Sequence, residues 1–272
     1  MLAITRKYLQ QMNASANDKV QMVKYITGDT VLDVGVGSGV LGKLISAFKH
    51  GVKVVGVDKN IRNCAKENST HYQDIIKLDA RNLQKKISVG EVDTVIFSSV
   101  LHEVYSYNNY SIEAVYAALR SAYNIIPKGG RIIIRDGVKM EGNSNVVIKF
   151  KDPQDARKAV KFKNDFKARK IELTVCSNDS VEMPMNDAME FLYTYTWGEE
   201  DYDREVREQY GLFTPKEYIA TVKNLLGLDL VTYNHYLQEG HNRHLSKKVE
   251  LYDKTGRRTR FPDSNILLVF QK

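Results

Sequence analysis

A glycine-rich segment at residues 31–42, VLDVGVGSGVLG, constrains the fold of this chain more than any other stretch. An apolar run carrying Asp33 comes first, and Gly35, Gly37 and Gly39 follow at alternate positions. Glycine reaches positive φ without a steric penalty and has no Cβ to hold a ligand away from the backbone. A helix that begins after the loop offers free N–H groups in its first turn. The pattern predicts a strand, a loop and a helix that together bind a nucleotide-type cofactor.

The kind of cofactor depends on the acid in this segment. Residues 37–42 match the G-x-G-x-x-G fingerprint of dinucleotide sites, and Asp58 follows about 20 residues later, as that fingerprint requires. Asp33, however, lies at the tip of the predicted strand, where it would repel a pyrophosphate. A ligand with a cationic amino group, a sulfonium and no phosphate avoids that repulsion. With its acid followed by G-x-G-x-G, the segment resembles motif I of the class I S-adenosylmethionine (SAM) dependent methyltransferases.

Further acids follow the next predicted strands. Residues 53–57 form a β-branched run that ends in Asp58, and residues 75–78 lead into Asp79. An aspartate at a strand end is also a common turn former or helix cap. Several such acids at the carboxyl edge of one parallel sheet favour a ligand site, because open α/β sheets bind ligands there. The resemblance implies that Asp58 holds the ribose hydroxyls and that Asp79 holds the adenine amine.

The resemblance also implies the rest of the cofactor site. Residues 92–97 form a fourth predicted strand that runs out into residues 98–103, and residues 127–130 form a turn before a fifth. The predicted cofactor is SAM, with S-adenosylhomocysteine as the product, and no metal is predicted. The predicted cofactor-binding residues are Asp33, Gly35, Gly37, Gly39, Asp58, Lys59, Asp79, Ala80, Ser98 and Ser99.

Methyl transfer from SAM is an in-line displacement that depends mainly on positioning, because the cofactor carries its own leaving group. A general base is needed only if the acceptor must lose a proton. His102, with Glu103 beside it, follows the fourth predicted strand and is the best candidate base. Asp136, at the end of the fifth strand, is a second candidate, for orienting the substrate. A capping or packing role for His102 is the alternative interpretation.

The alternation of strand and helix patterns predicts an α/β fold. We expect a three-layer, Rossmann-like, seven-stranded mixed sheet flanked by helices, parallel except for one antiparallel closing strand. An inserted cap separates the fifth strand from the helix that starts near Pro215, and the closing strands lie at residues 227–233 and 265–270. The predicted domains are a helical cover (1–29), a cofactor-binding core (30–136), the inserted cap (137–213) and the C-terminal part of the core (214–272).

The cap adds 77 residues, more than a simple crossover needs. Such additions usually carry substrate recognition in the family that the chain resembles. Tyr105 and Tyr107, after the fourth strand, and Tyr193 and Trp197, in the cap, are predicted to wall a substrate pocket. An aromatic stripe at helical spacing is more often part of a core, so both interpretations stay open.

The net charge of +7 is concentrated in two clusters. The first runs from Lys151 to Lys170 and the second from His241 to Arg260, and each carries an excess of five positive charges. Such clusters can bind RNA or DNA, or they can be solvated helix faces. The Asn/Asp-Pro-Pro-Tyr/Phe motif of exocyclic amino methyltransferases does not follow the fourth strand. We therefore expect O- or N-methylation of a small molecule, with RNA or protein as the alternative acceptor.

Other function classes are less favoured. No apolar run approaches the ~18 residues of a membrane span, and residues 1–10 lack the apolar stretch of a signal peptide. We therefore expect no membrane partner. Cys64 and Cys176 have no metal-type spacing, so free thiols in a cytoplasmic protein are the simpler interpretation. A nicotinamide-dependent oxidoreductase and a catalytically silent SAM-fold binding protein are the remaining alternatives.

Overall fold

The computed structural model describes residues 16–272. Its chain divides into two compact units. The first unit contains the described residues up to Asp136 together with Glu217–Asn234 and Ile266–Lys272, and the second contains Gly137–Lys216 and His235–Asn265. No helix within residues 16–272 is both long enough and apolar enough to cross a membrane.

The strands are β1 Thr30–Val34, β2 Lys53–Asp58, β3 Asp74–Lys77, β4 Thr94–Ser98, β5 Arg131–Gly137, β6 Asn145–Phe150, β7 Thr174–Ser177, β8 Ser180–Pro184, β9 Asp229–Tyr236, β10 Val249–Tyr252, β11 Arg258–Thr259 and β12 Asn265–Gln271. The helices are α1 Ala16–Lys19, α2 Val40–Phe48, α3 Lys66–Ser69, α4 Leu101–Ser106, α5 Ile112–Ile125, α6 Ala156–Asp165, α7 Met185–Trp197, α8 Tyr202–Glu205, α9 Pro215–Leu226 and α10 Glu239–Leu245. Short 3₁₀ helices cover Val20–Tyr25, Ile61–Asn63, Ala80–Lys85 and Pro153–Asp155.

The main sheet has seven strands in the order β3-β2-β1-β4-β5-β12-β9. The pairs β1–β2, β1–β4, β2–β3 and β4–β5 are parallel. β12 runs antiparallel to β5, because Lys272 at its far end exchanges backbone hydrogen bonds with Gly129 and Gly130, which directly precede β5. β4 is buried throughout its length, as expected of a parallel strand covered on both faces. The predicted Rossmann-like fold with one antiparallel closing strand is therefore confirmed.

The register places the candidate residues at one edge of this sheet. In the parallel pairing Asp33 lies opposite Gly56 on one side and Ile96 on the other, so β1, β2 and β4 end together. Strand order reverses between β1 and β4, since β2 and β3 extend to one side and β5 to the other. Open α/β sheets bind ligands at such a switch point. The fold thus brings Asp33, Asp58 and Ser98 to the edge where a cofactor is expected.

The second unit has its own five-stranded sheet, in the order β11-β10-β6-β8-β7. Helices α6 and α7 pack against it, and Phe150, Phe162 and Phe191 form an aromatic centre in its core. Residues 235–265, which the sequence pattern assigned to the last part of the core, supply α10, β10 and β11 to this unit. The pairing of Val249 with Phe150 spans about a hundred residues, and local patterns carry no signal for such contacts.

Part of the predicted helical cover at residues 1–29 is described. Residues 16–25 form α1 and a 3₁₀ helix that ends at Tyr25, and Met22 and Val23 are buried there. Residues 1–15 lie outside the described part of the chain, so that portion of the prediction stays a prediction.

Candidate functional site

The loop between β1 and α2 is shaped by three glycines with positive φ. Gly35, Gly37 and Gly39 have φ values of 82°, 52° and 80°, a region that side chains of L-residues rarely adopt. A Cβ on Gly35 would also lie 2.6 Å from a methyl group of Val100, and one on Gly39 would lie 2.7 Å from Cys64 Sγ. The chain itself therefore requires glycine at these positions, in addition to any ligand that approaches the loop.

The acid at the tip of β1 is removed from water. Asp33 is 1% exposed, and its Oδ2 accepts a hydrogen bond of 2.6 Å from the Tyr72 hydroxyl. Burial raises the pKa of Asp33 to about 7, against the opposing effects of the Tyr72 hydrogen bond and the nearby charge of Lys19. A buried carboxylate binds a cation more strongly than an exposed one because little water screens it. Asp33 is suited to hold an ammonium group.

Tyr72 is a site residue that the sequence analysis missed. Its hydroxyl donates to Asp33 and accepts the N–H of Gly42 at 3.0 Å, so it links β1 to α2. Its ring fills the space beside two glycines, because a Cβ on Gly42 would lie 2.4 Å from the ring and one on Gly56 would lie 3.1 Å from it. The last glycine of the G-x-G-x-x-G string therefore makes room for a tyrosine that positions the buried acid. No motif in the sequence marks position 72.

The acid at the end of β2 is tied to the glycine loop. Asp58 Oδ2 accepts the N–H of Gly37 at 3.0 Å, and its Oδ1 accepts the N–H of Asn60 at 2.7 Å. Both oxygens are thus held at the edge of the sheet, beside the loop that was predicted to face the cofactor. The role implied for Asp58, holding the ribose hydroxyls, stays a prediction.

The acid after β3 is held by two cations. Asp79 accepts hydrogen bonds from Arg81, and Lys59 Nζ lies 2.9 Å from its Oδ2. Burial alone would raise the pKa of Asp79, but the bonds from Arg81 and Lys59 outweigh it and lower that pKa. Asp79 also caps the short helix that begins at Ala80. The structure thus brings together Lys59, Asp79 and Ala80.

The residues after β4 carry two unusual features. The hydroxyl of Ser98 is buried and has no hydrogen-bond partner among the described residues. Ser99 has a φ of 56°, and its hydroxyl accepts a hydrogen bond of 2.5 Å from Arg135. Orphaned buried polar atoms and backbone in sparsely populated regions are typical of functional sites. Both features lie beside Asp33 at the switch point of the sheet.

His102 and Asp136 form a buried pair at the ends of β4 and β5. His102 Nδ1 lies 2.5 Å from Asp136 Oδ1, and Asp136 Oδ2 accepts the N–H groups of Leu101 and His102 at 2.8 and 3.2 Å. The carboxylate thereby fixes the start of α4 and favours a proton on Nδ1, which makes Nε2 the basic nitrogen of the neutral ring. Asp136 was predicted to orient a substrate; within the chain it orients His102.

A model of the methyltransferase domain family matches residues 32–134, which run from within β1 to within β5 and include most of the residues just described. This segment is therefore a methyltransferase domain, and with the strand order of the sheet it supports the predicted class I SAM-dependent methyltransferase superfamily. None of the curated proteins with which the sequence was compared matches it.

Solved structures show the same fold at low sequence identity. A chain from the complex of the Haloferax volcanii Trm112 methyltransferase activator with a candidate methyltransferase is 13% identical, with a TM-score of 0.55, over 97% of this chain and 92% of that one. A candidate methyltransferase of Bacillus halodurans C-125 is 15% identical, with a TM-score of 0.51, over 95% and 99%. A Thermotoga maritima protein described as a possible histamine N-methyltransferase is 13% identical, with a TM-score of 0.51, over 98% of each chain.

The four aromatic residues that were predicted to wall a substrate pocket belong to different units. On α4, which also carries Glu103, the ring of Tyr105 packs edge-on against Tyr110, while Tyr107 ends the helix and is half-exposed. Tyr193 and Trp197 belong to the second unit. Tyr193 is buried, stacks on Tyr210 at 4.7 Å and donates its hydroxyl to the Ser264 carbonyl, so it serves the core of that unit. Trp197 is half-buried at the end of α7.

Both basic clusters of the chain lie in the second unit. Several of their charges have acidic partners within that unit. In the first cluster Lys158 lies 2.8 Å from Asp155 and 3.3 Å from Glu199, and in the second Arg258 lies 3.1 Å from Glu250. This pairing reduces the positive field that each cluster offers to a nucleic acid, and it fits the interpretation of solvated faces.

Replacing Tyr72 by Phe tests the linkage between the loop and the buried acid. The Tyr72→Phe variant leaves a buried carboxylate and the Gly42 N–H without their hydrogen bonds, so we expect about 1–3 kcal/mol less stability against chemical denaturation. Tyr233→Phe is the matched control, because Tyr233 is 49% exposed, and a change within about 0.5 kcal/mol is expected there. Equal stability of the two variants would exclude a positioning role for Tyr72.

Proposed function

We propose that this protein is a SAM-dependent methyltransferase that transfers a methyl group to an oxygen or nitrogen nucleophile, with a small molecule as the acceptor. The observation that carries the proposal is the buried acid Asp33 at the switch point, beside a glycine loop that Asp58 holds from the next strand. The alternative acceptors are RNA and protein.

The residues at this edge fit SAM better than a dinucleotide. Asp33 lies near the end of β1, before the glycine loop to which a dinucleotide would bring its pyrophosphate, and the two negative charges would repel each other in a poorly screened site. SAM carries an ammonium group, which Asp33 can bind, and no phosphate. The orphaned hydroxyl of Ser98 offers a further hydrogen bond at the same edge. SAM supplies the activated methyl group on its sulfonium, and the protein contributes binding and orientation.

The His102–Asp136 pair supports an acceptor that must lose a proton. Asp136 holds the ring with a proton on Nδ1, so Nε2 can accept a proton from a hydroxyl or amine as it attacks. Asp136 also stabilises the imidazolium that this transfer produces. The pair therefore supports O- or N-methylation.

A small acceptor is favoured over RNA or protein by the internal pairing of the basic clusters. The Thermotoga maritima structure of the same fold is described as a possible N-methyltransferase of histamine, a small amine, which is consistent with this choice. A polymer acceptor would need the clusters as an electrostatic docking surface.

Ligand binding tests the cofactor. We expect SAM and S-adenosylhomocysteine to raise the melting temperature, whereas NAD and NADP leave it unchanged. The Asp58→Ala variant is expected to bind S-adenosylhomocysteine about tenfold more weakly or worse, since it loses charge-assisted hydrogen bonds. Asp74→Ala is the control, because Asp74 is an exposed acid at the start of β3. Stabilisation by NAD alone would overturn the proposal in favour of an oxidoreductase.

The raised pKa of Asp33 predicts a pH dependence of binding. Only the ionised carboxylate attracts an ammonium group, and the pKa of about 7 in the free protein means that this form is lost as the pH falls below 7. The affinity for S-adenosylhomocysteine should therefore rise about eightfold from pH 6 to pH 7.5, as measured by calorimetry. Methylthioadenosine, which lacks the amino group, should show no such rise. If the affinity of the Asp33→Asn variant for S-adenosylhomocysteine still rose with pH as in the intact protein, Asp33 would not be the group that binds the ammonium.

Methyl transfer itself tests the acceptor and the base. Labelled SAM is incubated with a cell extract, which is then separated into RNA, protein and metabolites, and we expect label among the metabolites. His102→Gln should lower the turnover about 100-fold or more while cofactor affinity stays within about threefold. His50→Gln is the control, because His50 is exposed. Label in the RNA or protein fraction would show that the acceptor is a polymer and not a small molecule. If SAM binds but no fraction is labelled, the result would favour a catalytically silent binding protein.

A further inference from the structure

A second buried charge lies on α1, which packs against α2 and whose Asp18 binds Arg135 at the switch point, and this charge is close enough to act on Asp33. Lys19, the last residue of α1, is 6% exposed, and its ammonium makes no hydrogen bond or ion pair with the described residues. Burial lowers its pKa to about 8, and the positive charge of Arg135 adds to this, while Asp33 and Asp18 act in the opposite direction. An ammonium group without a hydrogen-bonding partner is costly to bury. Its position therefore calls for an explanation.

The other cation at this edge is already compensated. Arg135 donates from Nε to Asp18 Oδ2 at 2.6 Å, with a second bond from Nη2 to the same oxygen, and from Nη1 to the hydroxyl of Ser99 at 2.5 Å. Asp18 thus neutralises Arg135. Of the two cations, Lys19 is the one whose charge an incoming anion can satisfy.

Lys19 and Asp33 together select the charge pattern of a ligand. A phosphate or simple carboxylate would meet repulsion from Asp33, and a simple cation would meet repulsion from Lys19. A ligand with one positive and one negative group a few bonds apart can place each against its opposite. The α-amino acid group is such a zwitterion, and the methionine end of SAM carries it. Both residues are more than nine-tenths buried, so water screens their interactions with the charged groups of a ligand only weakly.

We propose that Lys19 binds the carboxylate of the cofactor's methionine end, while Asp33, held by Tyr72, binds its ammonium group. The inference rests on the proposed function and adds a residue from outside the segment that the methyltransferase domain model matches. It assigns α1 a direct part in cofactor recognition. It also implies that the site requires the carboxylate and rejects adenosyl compounds that lack it.

Two ligands that differ by one group test this. S-Adenosylhomocysteine is compared with its decarboxylated form, S-adenosyl-3-thiopropylamine, by calorimetry at pH 7.5. We expect the intact protein to bind S-adenosylhomocysteine about tenfold more tightly or better. The Lys19→Met variant should lose that preference by binding S-adenosylhomocysteine more weakly, while its affinity for the decarboxylated form stays within about threefold. Lys19→Arg should keep most of the preference.

Lys24→Met is the matched control, because Lys24 is exposed in the 3₁₀ helix that follows α1. This variant should prefer S-adenosylhomocysteine over the decarboxylated form as strongly as the intact protein does. Equal binding of the two ligands by the intact protein would overturn the assignment even if Lys19→Met fails to fold. Equal weakening of both ligands in Lys19→Met would also overturn it, since Lys19 would then act only as a counter-ion of Asp33. If the intact protein binds neither S-adenosylhomocysteine nor SAM, the proposed function fails as well, which is a different result from binding without a preference.

Discussion

The hydrogen bond between Tyr72 and Asp33 holds together the edge of the sheet on which the candidate site depends. It keeps a carboxylate in place at the tip of the central strand, where the surrounding protein has removed its water. The same hydroxyl accepts the Gly42 N–H, so one side chain joins β1, α2 and the segment before β3. Because the acid is shielded from water, the charge of its ionised form acts on a ligand with little screening.

The proposed cofactor binding and the proposed chemistry lie at different strand ends. The ends of β1 and β2 present Asp33 and Asp58 near the glycine loop, whereas the ends of β4 and β5 present His102 and Asp136. β4 pairs with both β1 and β5, so Ser98 lies between the two groups. A rigid sheet can hold a cofactor and a base in fixed relation without help from mobile loops.

Sequence patterns predicted the parts of the structure that local rules determine. The strand-end acids, the helix start at Pro215 and the closing strand from Asn265 all follow from periodicity, turn chemistry and resemblance to a family. Tyr72 and Lys19 could not be predicted in this way. Tyr72 matters through a hydrogen bond with Asp33 across 39 positions of the chain, and Lys19 through an electrostatic interaction with Asp33 across 14 positions. The same limit applies to residues 235–265, whose strands pair with β6.

The packing of Tyr72 against Gly42 also affects what a glycine motif can reveal. A descendant of this protein that no longer used any cofactor would still need Gly42, because a methyl group there would strike the tyrosine ring. The spacing of glycines therefore records how a strand and a helix fit together, and it can outlast the activity. Loss of Lys19, in contrast, would remove no hydrogen bond with the described residues and would take away a charge that we propose a ligand uses, and loss of Asp33 would remove its proposed counterpart together with the bond to Tyr72. Among relatives of this chain, the two buried charges would be a better guide than the glycines to which proteins still bind a cofactor.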